Sequence, residues 1–426
     1  MGMTIVEKVL ARGAGQEAVR VGDIVWVTPD LTVGHDLNYP RYREMMRNAG
    51  IDRVANAGRM VLTIDHLPYG DGEGVAAVHG MMRREAKTQG IGHFFDLGRH
   101  GISHNVPVDQ GLVRPGMLVI TSDTRSPALG CVGCVGIAVG TSFLTVMATG
   151  RAWLRVPPTL RVVLSGRLRP GTMSRDAGEW IANRIGADRG DYRAIEFSGD
   201  ALAHLGIDER HTLCNAMVDI GVKAAVVLPD AVTRAYVESH GGAFEPVLPD
   251  ADARYEETFH IDLGAIEPQV SLPPDPENIA PVGTVAGRRI DQAFVGSCIG
   301  GKLEDLRAAA AVLKGRKVHP DVRFIVIPAT QAIYQRAVGE GLIDILSAAG
   351  SYIAVGACGP CYGSLAPLAD GEVCIGTSTR NEPGRMGSHK ATVMIASAAT
   401  VAASAVRGAV ADPREFLGAF QGEAVE

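Results

Sequence analysis

The spacing of apolar and polar positions predicts a chain of alternating strands and helices. Residues 4–12 read as a short amphipathic helix, and the run Asp23-Ile-Val-Trp-Val-Thr-Pro as a strand stopped by Pro29. The segment TVGHDL sets His35 and Asp36 just beyond that strand. A second apolar strand, in VLTIDHLPYG, delivers Asp65 and His66, and HGISHNVP supplies His100 and His104. A third, in GMLVITSDTR, ends at Asp123-Thr124-Arg125. Apolar strands that each end in an ionisable cluster are how an open α/β sheet builds a site at its strand C-termini.

Residues 158–257 continue the alternation, with strand-like LRVVLSG and AAVVLPD around helical DAGEWIANRIG. The segment PQVSLPPDPENIAPVG, around 268–283, holds five prolines and reads as an extended connector. Beyond it come a strand (QAFVGS), a helix (LEDLRAAAAVLKG), a strand (RFIVIPA) and a helix (QAIYQRAVGEGL). The pattern predicts an α/β protein with parallel sheets flanked by helices. It falls into three domains at 1–157, 158–257 and 258–426. At 426 residues the chain exceeds one ordinary core. Leu129–Ala148 is twenty residues without a charge, but its glycines suit a buried helix packed on a sheet better than a membrane span.

Composition narrows the function classes. With 46% hydrophobic and 21% charged residues and a net charge of −6, the chain is globular and too acidic to suggest nucleic acid. Seven cysteines without a secretory signal suggest a reducing cytoplasm. Cys298 stands in a glycine-rich turn, and Cys358 and Cys361 form a C-x-x-C pair sixty residues later. Such a pair, joined by a distant third thiolate, can hold an iron–sulfur cluster and leave one iron open as a Lewis acid. A zinc knuckle and buried filler thiols are equally compatible with the spacing.

The surrounding motifs are Gly296-Ser297-Cys298, Cys358-Gly359-Pro360-Cys361 and Arg380-Asn381-Glu382-Pro383-Gly384-Arg385. They resemble the G-S-C, C-G-x-C and R-N-x-x-G-R of the aconitase family, and the similarity runs along nearly the whole chain. The resemblance implies three α/β/α domains around a central 4Fe-4S cluster held by Cys298, Cys358 and Cys361, with one iron lacking a protein ligand. It places Asp65, His66 and His104 facing the cluster, His35 at an active-site position, and Arg380 and Arg385 as carboxylate clamps. The family's base is a serine on a swivelling domain with a G-S-S-R-type segment, which this sequence lacks. The implied partner is therefore a small subunit that supplies that serine, as in the two-subunit branch acting on isopropylmalate and homoaconitate. The implied substrate is a small hydroxy acid, with no nucleic acid or membrane involved.

Several positions depart from the family pattern. D-S-H-T becomes Asp123-Thr124-Arg125-Ser126, and the glutamate of C-N-M-x-x-E-x-G becomes Asp219. The longer cation and shorter anion could keep the pair as Arg125–Asp219, although arginine cannot relay a proton at neutral pH. Gly300 and Thr379 stand where the family has asparagines. These changes leave room for a paralogue acting on dimethylmalate, citraconate or maleate, or for a cluster-bearing scaffold without turnover. A non-catalytic iron sensor fits less well with the retained cysteines and arginines. Cys131 and Cys134, a second C-x-x-C, read with Cys214 and Cys374 as core thiols.

Overall fold

The computed structural model describes residues 2–70 and 72–417. It is an α/β structure that divides into two compact units, Met1–Ser165 with Ala187–Ile261, and Gly166–Gly186 with Asp262–Glu426. Three sheets of four or more strands account for most of it, with a two-stranded ribbon beside them. Among the described residues no helix is long and apolar enough to cross a membrane.

The first unit is built on a five-stranded sheet in the order His93–Phe95, Met60–Thr63, Leu31–His35, Leu118–Thr121, Val135–Ala138. All its pairings are parallel. Alternate residues feed two cores: Met60, Leu62, Leu118, Ile120, Val135 and Ile137 join one apolar cluster, and Leu31, Val33, Val61 and Val119 the other. A parallel sheet covered on both faces requires this. The first of these strands in chain order, Leu31–His35, lies between the second and the fourth, so the winding reverses beside it. The same unit carries a four-stranded sheet ordered Ala224–Val227, Ala194–Ser198, Thr159–Ser165, Glu257–Asp262. The N-terminal helix Ile5–Ala14, capped by Thr4 and Glu7, shares an apolar cluster with strands of both sheets.

The second unit has seven strands, ordered Ile279–Pro281, Gln269–Ser271, Thr392–Ala396, Val373–Gly376, Gln292–Val295, Arg323–Val326, Tyr352–Ile353. The last five are mutually parallel. Their order repeats that of the first unit: the first strand in the chain, Gln292–Val295, lies between its second and fourth. The helix Ser174–Ile185 belongs to this unit.

Three expectations are corrected. Ile24–Val27 is a strand, but it pairs antiparallel with Ala152–Arg155 in the separate ribbon, and the sheet strand that carries His35 is Leu31–His35. The uncharged run Leu129–Ala148 is not one helix. It comprises the end of a 3-10 turn (Ser126–Val132), the strand Val135–Ala138, a second 3-10 turn and most of the helix Phe143–Thr149. Gly130 is there for contact, since a Cβ on it would fall 1.7 Å from the carbonyl oxygen of Ala225. The proline-rich stretch is no simple connector, because Gln269–Ser271 and Ile279–Pro281 form an antiparallel hairpin at the edge of the second unit's sheet.

Candidate active site

In the first unit the chemistry gathers where the winding reverses, the place where open α/β sheets form a crevice. His35 ends its strand, Asp65 and His66 follow Met60–Thr63, and Asp123 follows Leu118–Thr121. The His35 and His66 rings lie 4.7 Å apart between centroids. His35 Nε2 is 3.8 Å from Asp123 Oδ2, and His104 Nδ1 is 3.8 Å from Asp123 Oδ1. His66 Nδ1 lies 3.6 Å from Asp65 Oδ1 and 3.7 Å from Asp36 Oδ1. Asp65 Oδ2 accepts from the Ser103 amide at 3.0 Å, tying the Asp65 turn to the loop that carries His104.

These carboxylates divide the histidines. Burial works against the His66 cation, yet Asp65, Asp36 and Asp123 outweigh it, and the pKa rises to about 9. Burial prevails at His104, whose pKa falls despite Asp123 and Asp65. Asp36 and Asp123 stay well below the usual carboxylate range: burial raises both, but the adjacent histidines more than compensate. One cationic and one neutral imidazole thus share a site. Both ring nitrogens of His104, with Ser103 Oγ and Ser122 Oγ, are buried without a hydrogen-bond partner among the described residues. Orphaned buried polar atoms in such a group point to a polar ligand.

Arg125 and Asp219 do meet. Arg125 Nη2 is 2.5 Å from Asp219 Oδ1, and Nη1 donates to the Asn215 carbonyl at 3.2 Å. The Arg125 amide also donates to Asp123 Oδ1 at 3.0 Å, so the substituted position stays joined to the loop that carries Asp123.

In the second unit the same point of reversal carries Cys298, while Cys358 and Cys361 follow the edge strand Tyr352–Ile353. Gly296 follows Gln292–Val295 and leads into a helical turn, Ser297–Gly300, with buried Cys298 inside it. Ser297 takes a left-handed conformation (φ +68°), held by its hydroxyl donating to the Thr377 carbonyl at 2.7 Å. The Gly296 amide donates to the Thr377 hydroxyl at 2.8 Å. Gly300 faces the same threonine, and a Cβ there would fall 2.1 Å from Thr377 Cβ, so the side chain expected at this position has no room. Cys358 precedes the short turn Gly359–Tyr362, in which Cys361 is buried with its Sγ 3.5 Å from the Thr379 hydroxyl. The other departure, Thr379, therefore places a hydroxyl on a cysteine sulfur.

Sulfurs sharing one zinc ion would lie about 3.8 Å apart, given Zn–S bonds of about 2.3 Å. Among the described residues, the group whose ligand-type atoms converge within 4.8 Å is His35, Asp65 and His66, not the three cysteines. Three thiol donors in glycine-rich turns, Cys298 and Cys361 buried and Cys358 half-buried, are the donor type that an iron–sulfur cluster takes. The other thiols are core. Burial pushes Cys131, Cys134 and Cys214 far up, and Cys374 to about 12.

Arg385 lies with its guanidinium 5.9 Å from the Tyr362 ring, and its Nε is buried without a hydrogen-bond partner among the described residues. Arg380 is half-buried, with Glu382 3.9 Å away. Two residues outside the expected set matter here. Asp36 holds the Asp65–His66 turn. Arg175, buried on the helix Ser174–Ile185, donates to the Ser378 carbonyl at 2.7 Å and pairs with Glu179 at 2.6 Å. The only sequence signal for Arg175 is its i,i+4 acidic partner on an amphipathic helix.

The aconitase family model (aconitate hydratase) matches residues 7–288 and 283–408. The chain is 41% identical to a 3-isopropylmalate dehydratase large subunit 1 from Methanopyrus kandleri over 98% of this chain and 100% of that one. It is 40% identical to the 3-isopropylmalate dehydratase large subunit of Aquifex aeolicus over 98% of each. Among solved structures, Thermococcus kodakaraensis aconitase X in its holo-form matches with a TM-score of 0.50 at 14% identity, over 83% of this chain and 84% of that one, a likeness of fold alone. With matches that span both units, the chain belongs to the aconitase family.

Proposed function

We propose that the chain is the large subunit of a hydro-lyase that interconverts 2- and 3-isopropylmalate by dehydration and rehydration, a step of leucine biosynthesis. Near-full-length identity to named large subunits supports the substrate. The observation that carries the mechanism is the gathering of His35, His66 and His104 around Asp36, Asp65 and Asp123 at the first unit's reversal.

Cys298, Cys358 and Cys361 would hold the 4Fe-4S cluster, which when bound supplies a Lewis-acidic iron without a protein ligand. His66, protonated at neutral pH, gives its proton to the departing hydroxyl, which leaves as water. His104 and Asp123 orient the bound acid. Arg380 and Arg385 bind carboxylates, for which a planar two-pronged donor is suited. Arg125 stays charged and moves no proton. The carbon-bound proton goes to a serine of the small subunit, the implied partner. Rehydration of the unsaturated acid at the adjacent carbon completes the exchange.

A second reading, a hydratase of another 2-hydroxy diacid, is favoured by Gly300 and Thr379, which alter the lining of the cysteine turns. One experiment decides. The chain is purified without oxygen, reconstituted with iron, sulfide and the small subunit, and assayed for unsaturated-acid absorbance with isopropylmalate, citramalate and dimethylmalate. Mildly oxidised protein is examined by EPR in parallel. Turnover of isopropylmalate with a three-iron signal that added iron abolishes is the expected result. Turnover of dimethylmalate or citramalate instead would transfer the assignment to the second reading, and absence of any cluster would overturn both.

A further inference from the structure

Asp36 is fully buried and makes no contact that the expected chemistry calls for. Its carboxylate instead collects three consecutive backbone amides: Asp65 N at 3.0 Å and Leu67 N at 2.9 Å on Oδ2, and His66 N at 3.0 Å on Oδ1. Three amides converging on one carboxylate form an anion nest, a demanding geometry that a neutral side chain cannot match. The same carboxylate lies 3.8 Å from Nδ1 of His35 and 3.7 Å from Nδ1 of His66. So one side chain fixes where the Asp65–His66 turn leaves its strand and also sets the charge behind both imidazoles.

We propose that Asp36 is the positioning residue of the proton donor: it anchors the 65–67 turn from the core side and serves as the fixed counter-charge of His66, without touching the substrate. The proposal rests on the reading of His66 as the donor only for its catalytic consequence; the anchoring stands on geometry alone. The groups facing His66 are Asp36, Asp65 and Asp123 among the acids and His35 among the bases. Asp65 is itself held in the 3.0 Å bond from the Ser103 amide. Asp123 is shared with His35 and His104. Asp36 is thus the carboxylate bonded to the turn it also charges.

The test is an NMR titration of the imidazoles and backbone amides in uniformly 15N-labelled protein, assigned through His66→Gln, for the unsubstituted chain and for Asp36→Asn. Removing an opposite charge at this distance should lower the His66 midpoint by about one pH unit or more, a tenfold loss of proton affinity. The alkaline limb of kcat/KM in the complete enzyme should move down by the same interval. Should Asp36→Asn fold poorly, the unsubstituted chain still answers. The backbone amide shifts of residues 65–67 must then follow the His66 titration, because one carboxylate holds both.

An unmoved His66 midpoint in folded Asp36→Asn overturns the proposal, as do amides 65–67 that ignore the titration. A lowered midpoint with an unchanged pH–rate profile supports the positioning by Asp36 and overturns instead the reading of His66 as the donor.

Discussion

Arginine at position 125 offers the sharpest test of how this chain departs from its family. Arg125 is 4% exposed, and its guanidinium meets Asp219 at 2.5 Å, with a further bond to the Asn215 carbonyl. At an effective dielectric near 20, unit charges about 4 Å apart attract by about 4 kcal/mol, from which desolvation of the arginine must be subtracted. Asp219 keeps partial contact with water, its side chain 15% exposed, so its share of that cost is smaller. Arg125→Met leaves a nearly buried carboxylate and a carbonyl without their donor and should cost about 3–5 kcal/mol. Asp219→Asn keeps an acceptor facing the guanidinium and should cost about 1–3 kcal/mol.

Combining the two should recover about 2 kcal/mol relative to their sum, since the second change no longer breaks a pair. Urea unfolding read by hydrogen exchange in peptides spanning 122–130 and 212–221 confines the measurement to the unit that holds the pair. A coupling below about 0.5 kcal/mol would refute the argument, because sites without shared partners deviate from additivity by that much. The reciprocal exchange is equally diagnostic. Arg125→His with Asp219→Glu should be more stable than either change alone, if the two positions form one charge-holding unit.

Other expectations follow from single sites. Glu196 is buried, accepts from the Ile5 amide and the Tyr255 hydroxyl, and is raised by burial from 4.5 to about 7. The folded chain therefore binds that proton more tightly than the unfolded one, and stability falls by about 3 kcal/mol as pH rises through the window from 4.5 to 7. Glu196→Gln should lack this fall in urea titrations at pH 4.5 and 8, and parallel curves for the two proteins would contradict it. Gly300→Ala forces a Cβ into Thr377 and should cost about 1–3 kcal/mol by overpacking, with Thr377→Gly restoring both stability and reconstituted iron content. Replacing Cys298, Cys358 or Cys361 by serine should abolish cluster incorporation measured by iron analysis, whereas Cys131→Ser and Cys134→Ser should retain it.

What the sequence made legible depended on how far apart the interacting residues are. Asp65-His66 and Asp123 are local patterns at the ends of apolar strands, the C-x-x-C pair is a local pattern in a glycine-rich turn, and the structure keeps each there. Leu31–His35 was hidden because its glycine and histidine dilute the apolar signal, while Ile24–Val27 alternates cleanly. Yet the weaker segment is buried at every position between two parallel neighbours, and the stronger one forms a ribbon that leaves Ile24 and Trp26 in water. Burial on both faces removes the alternation by which strands are recognised. Asp36 anchors amides some thirty residues away, and Arg175 holds a carbonyl two hundred residues on. Neither carries a local mark of its role.

The departures from the family pattern are where sequence and structure inform each other most. Read along the chain, Arg125, Gly300 and Thr379 look like losses: a histidine and two asparagines of the family pattern gone. In space each is matched by a neighbour. Arg125 has the shortened Asp219 within 2.5 Å, Gly300 lies against a threonine that would exclude any Cβ, and Thr379 turns its hydroxyl to the sulfur of Cys361. Random decay would leave a buried guanidinium without its anion, or a cavity beside Thr377, and each would carry a measurable penalty. Here the substituted residues fit their surroundings without such defects. They also lie in loops beyond the strand ends, where both units with the same strand order put their chemistry, and not in the strands that fix the sheets. That distribution leaves the sheets of both units unchanged while the residues beyond their strand ends differ. Rates of the reconstituted enzyme on the three acids therefore report on these loops, with the sheets as a common background.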